Sequence, residues 1–231
     1  MKSPVIFFNL SGKGGVGKTT TVAHLSSVLH DQGVDHALYS VEIHGHLLQR
    51  FHKEAIELIM NEVAIEAADE WLDVIFFAAY NDRQHVLVDT GANVGRGLAE
   101  WMLKIDFFQQ CILANIRVVI AITVGSNDHD SCQFFRKFVE LAGDQVGWCL
   151  CRAQHTGEEF ALFDELVAET KARVIDLPIV PLHLMEFSRQ RAQTFLQLAK
   201  DEVNILRRQR CRFVGRAYSS ALEPIVKEYF K

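Results

Sequence analysis

The chain has 231 residues, 49% of them hydrophobic and 23% charged, with 24 basic against 29 acidic side chains for a formal charge of −5. That length can bury about 70% of the unfolded surface in one α/β unit without disulfide or metal staples, and the negative balance excludes a basic nucleic-acid coat, so any DNA or membrane contact must come from a local patch. Five scattered cysteines (Cys111, Cys132, Cys149, Cys151 and Cys211) fit a reduced, cytosolic chain rather than a disulfide framework, and no apolar run reaches the roughly 18 residues of a membrane span.

Met1 to Leu10 reads as a first strand, with Pro4 to Leu10 apolar enough to be buried. Residues 11–20 follow as Ser-Gly-Lys-Gly-Gly-Val-Gly-Lys-Thr-Thr, and Gly12, Gly17, Lys18 and Thr19 satisfy G-x-x-x-x-G-K-[ST]. In such a loop, glycines let backbone N–H groups crowd around a phosphate. The Lys18 ammonium is suited to the β- and γ-phosphates and the Thr19 hydroxyl to Mg²⁺. Apolar positions at Val22, Ala23, Leu25, Val28 and Leu29 predict a helix over 19–32, whose N-terminus adds a favourable dipole for anions. Gly12, Lys13, Gly14, Gly15, Val16, Gly17, Lys18, Thr19 and Thr20 are therefore the expected nucleotide cradle. The alternative is a glycine-rich turn that binds nothing.

His36 to Ile43 reads as a second strand and 47–73 as mostly helical, with 72–80 the end of a helix or a strand. His85 to Asp89 is a buried strand ending in a carboxylate, and 90–97 is glycine-rich. Helices are expected over 98–108, 128–143 (capped by Asn127 or Asp128), 157–171, 186–200 and 202–230. Strands are expected over 117–125, 146–152 and 173–177, with Pro178 and Pro181 closing the last. Gly215 and Pro224 are candidate breaks in the last helix. Alternating strands and helices predict a single-domain, three-layer P-loop NTPase fold spanning 1–231, its mostly parallel sheet flanked by helices. Ligands in such sheets sit at the carboxyl ends of the strands.

Asp89 is suited to an Mg²⁺ shell at its strand end, the alternative being a turn or cap aspartate. His44-x-His46 resembles a metal pair but has no third ligand at ligand spacing, so zinc is not expected. Cys149 and Cys151 are expected as core thiols. Residues 205–216 carry five arginines (Arg207, Arg208, Arg210, Arg212 and Arg216) and no acid. They are either a solvated helix face or a contact for non-specific DNA. The tail from Ala217 has few bulky apolar anchors, so membrane binding is not expected.

The run Lys13 to Thr20 resembles the deviant Walker A motif of the ParA/MinD superfamily of ATPases. The resemblance covers most of the chain, in the order P-loop, Glu42 loop, Asp89 loop, Cys151-Arg152 and Pro178 loop. It implies ATP and Mg²⁺ as cofactors and a nucleotide-dependent homodimer in which Lys13 and Lys18 serve catalysis, Lys13 reaching the partner's nucleotide. It implies Thr19, Glu42 and Asp89 around the metal, with Thr90, Gly91 and Ala92 as the γ-phosphate switch loop. Cys151, Arg152, Pro178, Val180 and Pro181 fall where the family holds the base. One departure stands out: His44 occupies the position where the family's water-activating aspartate is expected. A neutral imidazole can accept a proton but lacks the fixed charge, so slow or partner-stimulated hydrolysis is expected.

Asp89-Thr-Gly-Ala-Asn and the run from Lys171 to Pro178 look most like plasmid-encoded members of the StbB and TraL type. That implies a cytoplasmic, nucleoid-associated bacterial protein acting in plasmid conjugation, stability or intracellular positioning. A plasmid-encoded DNA-binding or transfer protein would be its partner. The alternatives are a nucleotide-binding regulator without useful catalysis, and a metabolic or metal-delivery ATPase of the same fold.

Overall fold

The computed structural model describes residues 3–11, 13–42, 48–59, 68–91 and 94–231. Its seven strands are β1 (Val5–Leu10), β2 (His36–Glu42), β3 (Ile56–Ile59), β4 (His85–Thr90), β5 (Arg117–Val124), β6 (Gly147–Arg152) and β7 (Arg173–Asp176). They form one sheet in the order β3-β2-β4-β1-β5-β6-β7, and every pairing is parallel. Parallel pairing needs a crossover between strands, and apart from the one between β2 and β3, which shows no helix among the described residues, the crossovers lay helices on the sheet. Both faces are therefore covered, and strands such as β1 are buried at every position.

Alternation along β1 sends Ile6, Phe8 and Leu10 to one core layer and Val5 and Phe7 to the other. The first layer is closed by α2 (Ala68–Tyr80), α3 (Gly95–Lys104), α4 (Phe107–Leu113), α5 (His129–Ala142) and α6 (Ala161–Glu169). The second is closed by α1 (Lys18–Asp31), α7 (Leu182–Arg191), α8 (Phe195–Asp201) and α9 (Ile205–Ile225). Cys149 and Cys151, two apart on β6, share a face, and both are fully buried in that second layer as thiols. The succession of strands changes direction beside β1, so its carboxyl end, between those of β4 and β5, opens a crevice.

Several expected elements are corrected. The 47–73 stretch, expected to be mostly helical, holds a strand: β3 lies inside it, paired to β2 with Tyr39 opposite Ile56 and Glu42 opposite Ile59. Helix-forming residues such as Glu57 and Leu58 are overruled there by an open sheet edge. The expected 98–108 helix is two, parted at Asp106, whose φ of 53° is left-handed. The 157–171 helix starts only at Ala161, after a 3₁₀ turn over Gln154–Thr156.

The 186–200 helix is likewise two. Ala192 turns left-handed at φ 52°, and Thr194 then opens α8 with a capping box to Gln197. Neither Gly215 nor Pro224 breaks α9. Gly215 instead permits close packing, because a Cβ there would lie 3.0 Å from Leu196 and 3.3 Å from the Phe195 backbone. Pro224 sits in the last turn, after which the helix widens into a π-type turn over Val226–Phe230.

α1 is pinned from the second layer. His24 is fully buried and stacks on Tyr218 of α9 at 3.9 Å between ring centroids. Its Nδ1 lies 2.8 Å from the Thr20 carbonyl, and its Nε2 accepts from the Phe195 amide at 3.4 Å. That pattern requires the neutral ring with its proton on Nδ1, in keeping with burial pushing its pKa down to about 4. His52 reaches α1 from the segment before β3, its Nε2 lying 3.0 Å from the Ala23 carbonyl. The helix that carries the phosphate loop is thereby tied to elements far away in the chain.

Candidate nucleotide-binding site

Between β1 and α1 the backbone makes a turn that only a glycine-rich stretch accepts. Gly15 has φ 75° and Gly17 φ 100°, both left-handed. Gly17 is the N-cap of α1, so the first amides of that helix open onto the loop. Val16 is buried and packs toward Gly125 at the end of β5, anchoring the loop from below. The Lys18 side chain is nearly buried, and its Nζ donates to the Lys13 carbonyl at 2.9 Å, folding back along the loop. Lys13 itself is exposed.

The ends of the three central strands are stitched together beneath the loop. Asn9 of β1 donates from Nδ2 to the Lys18 carbonyl at 3.3 Å. It accepts from Thr123 of β5 at 3.0 Å through Oδ1, and from the Thr90 hydroxyl of β4 at 2.8 Å through its backbone carbonyl. Asp128 caps α5 as expected, accepting from the Ser131 amide at 3.1 Å.

Asp89 is fully buried at the end of β4, and neither of its oxygens has a hydrogen-bond partner among the described residues. Thr19 lies close enough to pull its pKa down, and so does Lys18. Burial outweighs both, with the Glu42 charge adding to it, and the carboxyl is pushed up to about 7. Lys18 is perturbed the other way: burial lowers its pKa, opposed by Asp89, Glu42 and Asp128. Glu42 ends β2 beside the loop after β4, with its Cγ 3.6 Å from where a Gly91 side chain would begin. The Gly91 amide donates to the Val41 carbonyl at 2.9 Å. A buried carboxylate with unsatisfied oxygens, beside a hydroxyl and a second acid, is a donor set that suits a hard divalent cation. No cluster of three or more metal-ligating side chains occurs among the described residues, so water and phosphate oxygens would have to complete such a shell.

A cavity of about 640 Å³ opens over these groups. It is lined at one end by Gly14, Gly15, Gly17, Lys18, Thr19 and Thr20, with Glu42, Thr90 and Gly91 alongside. Its other walls include Leu177, Pro178 and Val180 as well as His155. The volume suits a cofactor-sized ligand.

Some expected site residues lie elsewhere. Cys151 is sealed in the core and does not line the cavity. Arg152 alternates to the opposite face of β6, ion-paired to Asp164 at 2.9 Å and Asp176 at 3.2 Å. Its guanidinium lies over Phe163, 4.6 Å from the ring centroid, so it is already stacked and is not presented to a base. Pro181 is outside the lining and serves as the N-cap of α7. Gly12, His44 and Ala92 lie outside the described residues. The arginines of α9 do not line the cavity: Arg207, Arg210, Arg212 and Arg216 are exposed and Arg208 is half-buried.

Other residues join the cavity that the spacing of motifs does not reveal. His155, in the 3₁₀ turn after β6, has Nε2 3.5 Å from the Gly15 carbonyl and its ring edge 3.4 Å from where a Gly17 side chain would begin. Its position past a strand end is the only sequence signal for it. Arg50 and Phe51 arrive from the segment before β3, and Met185, Arg189 and Tyr218 from α7 and α9. No local pattern marks these five, because long-range packing alone brings them to the loop.

Residues 7–200 match the CobQ/CobB/MinD/ParA nucleotide binding domain family. Among solved structures, the chain is similar to a chain of the MinC:MinD cell division protein complex of Aquifex aeolicus, with a TM-score of 0.58 and 17% identity, over 99% of this chain and 97% of that one. It is also similar to the MinD cell division protein of Aquifex aeolicus, with a TM-score of 0.53 and 15% identity, over 99% of both chains. At such identities these likenesses concern the fold. No curated protein matches the chain by sequence. With the phosphate loop, the buried acid behind it and a family match over most of its length, the chain belongs to the CobQ/CobB/MinD/ParA nucleotide-binding family.

Proposed function

We propose that the chain is an ATP-binding switch: ATP with Mg²⁺ fills the cavity, and its occupancy controls the pairing of two copies. The observation that carries this reading is the orphaned, buried Asp89 carboxylate set beside Lys18 at the foot of the phosphate loop. Thr19, Asp89 and Glu42 are the residues suited to hold Mg²⁺, which when bound would offset phosphate charge. Lys18 and the loop amides would hold the phosphates. His155, Leu177, Pro178 and Val180 would flank the nucleoside.

Lys13 supports the pairing. Its side chain is exposed, which leaves it free to reach the phosphates of a second copy, the role that the family resemblance implies. Binding energy would then couple nucleotide to assembly. The test is the mass of the purified protein with ATP and with ADP, both with Mg²⁺. At protein concentrations low enough that the nucleotide-free chain is monomeric, a dimer is expected with ATP alone, and Lys13→Ala should remain monomeric while still binding ATP. A mass that is the same with either nucleotide would contradict the switch.

We infer slow or partner-stimulated hydrolysis from His44. Losing a general base typically lowers a rate by about 10²–10⁴-fold. His44→Asp is therefore expected to raise phosphate release, measured at saturating ATP. Brisk wild-type turnover that this substitution leaves unchanged would sink the idea and favour another water-positioning group. If neither form turns over, the chain is a regulator read by nucleotide occupancy alone. The setting we favour is cytoplasmic and bacterial, in plasmid conjugation, stability or positioning, with a plasmid-encoded transfer or DNA-binding partner. The MinC:MinD complex, which pairs MinD with a second protein, is the structural analogy for such a partner.

A further inference from the structure

Two helix faces on opposite sides of the sheet present large apolar side chains to solvent. On α9, Leu206 is 71% and Phe213 77% exposed. They stand two turns apart on one stripe, bordered by exposed Arg210, Arg212 and Arg216. Val203 and Ile205 extend the patch at the helix start. On α2, Val74, Phe77 and Tyr80 are exposed, Phe77 by 50%. They share their stripe with exposed Glu70 and Asp73, and the helix contains no basic side chain.

Arginines alone on α9 would read as phosphate contacts. The aromatic and aliphatic groups between them change that reading, because a phosphate backbone gains little from Phe213 or Leu206. Clustered exposed apolar groups rimmed by charge mark a protein-docking surface. The α2 stripe offers what the α9 stripe lacks: apolar groups of similar size within an acidic rather than a basic border. Opposite charge across apolar anchors gives both attraction and register.

We propose that α9 of one copy docks on α2 of a second copy. The two stripes cover different faces of the sheet, so one chain cannot satisfy both by itself. The contact is therefore head to tail, and each added copy leaves one free face at either end. Such an interface extends into a filament or closes into a ring. It uses the faces of the sheet and not the cavity edge, so it stands apart from nucleotide-driven pairing.

The test is sedimentation velocity of the full chain without nucleotide, over rising concentration. Wild-type protein is expected to form species larger than a dimer. Phe213→Asp and Phe77→Lys should each remove them, raising the concentration for half-association by about tenfold or more. Circular dichroism checks that each variant folds, and Leu206→Asp is the substitute should Phe213→Asp not fold. Each variant keeps the face that the other has lost. An equimolar mixture of the two should therefore give a one-to-one complex that cannot extend, which neither a symmetric interface nor non-specific stickiness produces. A wild-type chain that stays monomeric, or a mixture that stays monomeric, overturns the docking. Loss of binding to duplex DNA or to phosphatidylserine vesicles in Phe213→Asp would then assign the surface to that ligand instead.

Discussion

Lys18→Ala is expected to lower affinity for ATP and for inorganic tripolyphosphate alike, by roughly 30-fold or more, as removal of a desolvated charge from its partner does. Lys18 is nearly buried at the loop, and its Nζ is held within it by the Lys13 carbonyl. His155→Ala separates the phosphate from the nucleoside. Its ring lies against Gly15 and Gly17 on the wall shared with Leu177, Pro178 and Val180. Stacking on a base is worth about 1–3 kcal/mol, so ATP binding should weaken by about 5- to 150-fold while tripolyphosphate binding stays unchanged. Calorimetric titration of wild type and both variants with both ligands decides the matter. Equal weakening of the two ligands by His155→Ala would make that histidine a support of the loop rather than a base contact. Wild-type protein that binds neither ligand would contradict the nucleotide reading itself.

Asp89→Asn should stabilise the metal-free, nucleotide-free protein at pH 8 and impair Mg²⁺-dependent ATP binding. Asp89 has its pKa raised from 3.8 to about 7 by burial, so the fold favours the neutral carboxyl. Ionising it destabilises the native state. That penalty is absent below about pH 4, grows as pH rises toward 7, and is complete above 7. A shift of this size corresponds to up to about 4 kcal/mol at pH 8. Denaturant unfolding of both forms at pH 8 and pH 5 measures it, the gap between them narrowing at the lower pH. A variant no more stable than wild type at pH 8 would mean that Lys18 and Thr19 already compensate the charge. With nucleotide and Mg²⁺ present the order should reverse, because the cation would favour the ionised carboxylate that asparagine cannot supply.

The phosphate loop, the alternation of strands and helices, and the acid at the end of β4 were all legible from local pattern. Each rests on a short-range rule: glycines for a left-handed turn at Gly15 and Gly17, apolar periodicity for β1 and α1, a carboxylate closing a buried run at Asp89. Three kinds of feature were decided only by tertiary structure. The β3 strand exists because β2 offers an unpaired edge, which outweighs the helical propensity of residues 56–59. The helix splits at Asp106 and Ala192 need left-handed residues that neither glycine nor proline marks in the sequence. Thr194 and Gln197 nonetheless spell a capping box that was there to be read. The cavity walls away from the loop depend on which side chains converge: Arg152 turns to Phe163, Asp164 and Asp176, while His155 and Tyr218 turn inward. By itself, then, the sequence determined the phosphate loop and the kind of fold that carries it. Packing between residues far apart in the chain decided what else lines the cavity, because side-chain direction at a strand end and burial on a helix face depend on neighbours that no local pattern specifies.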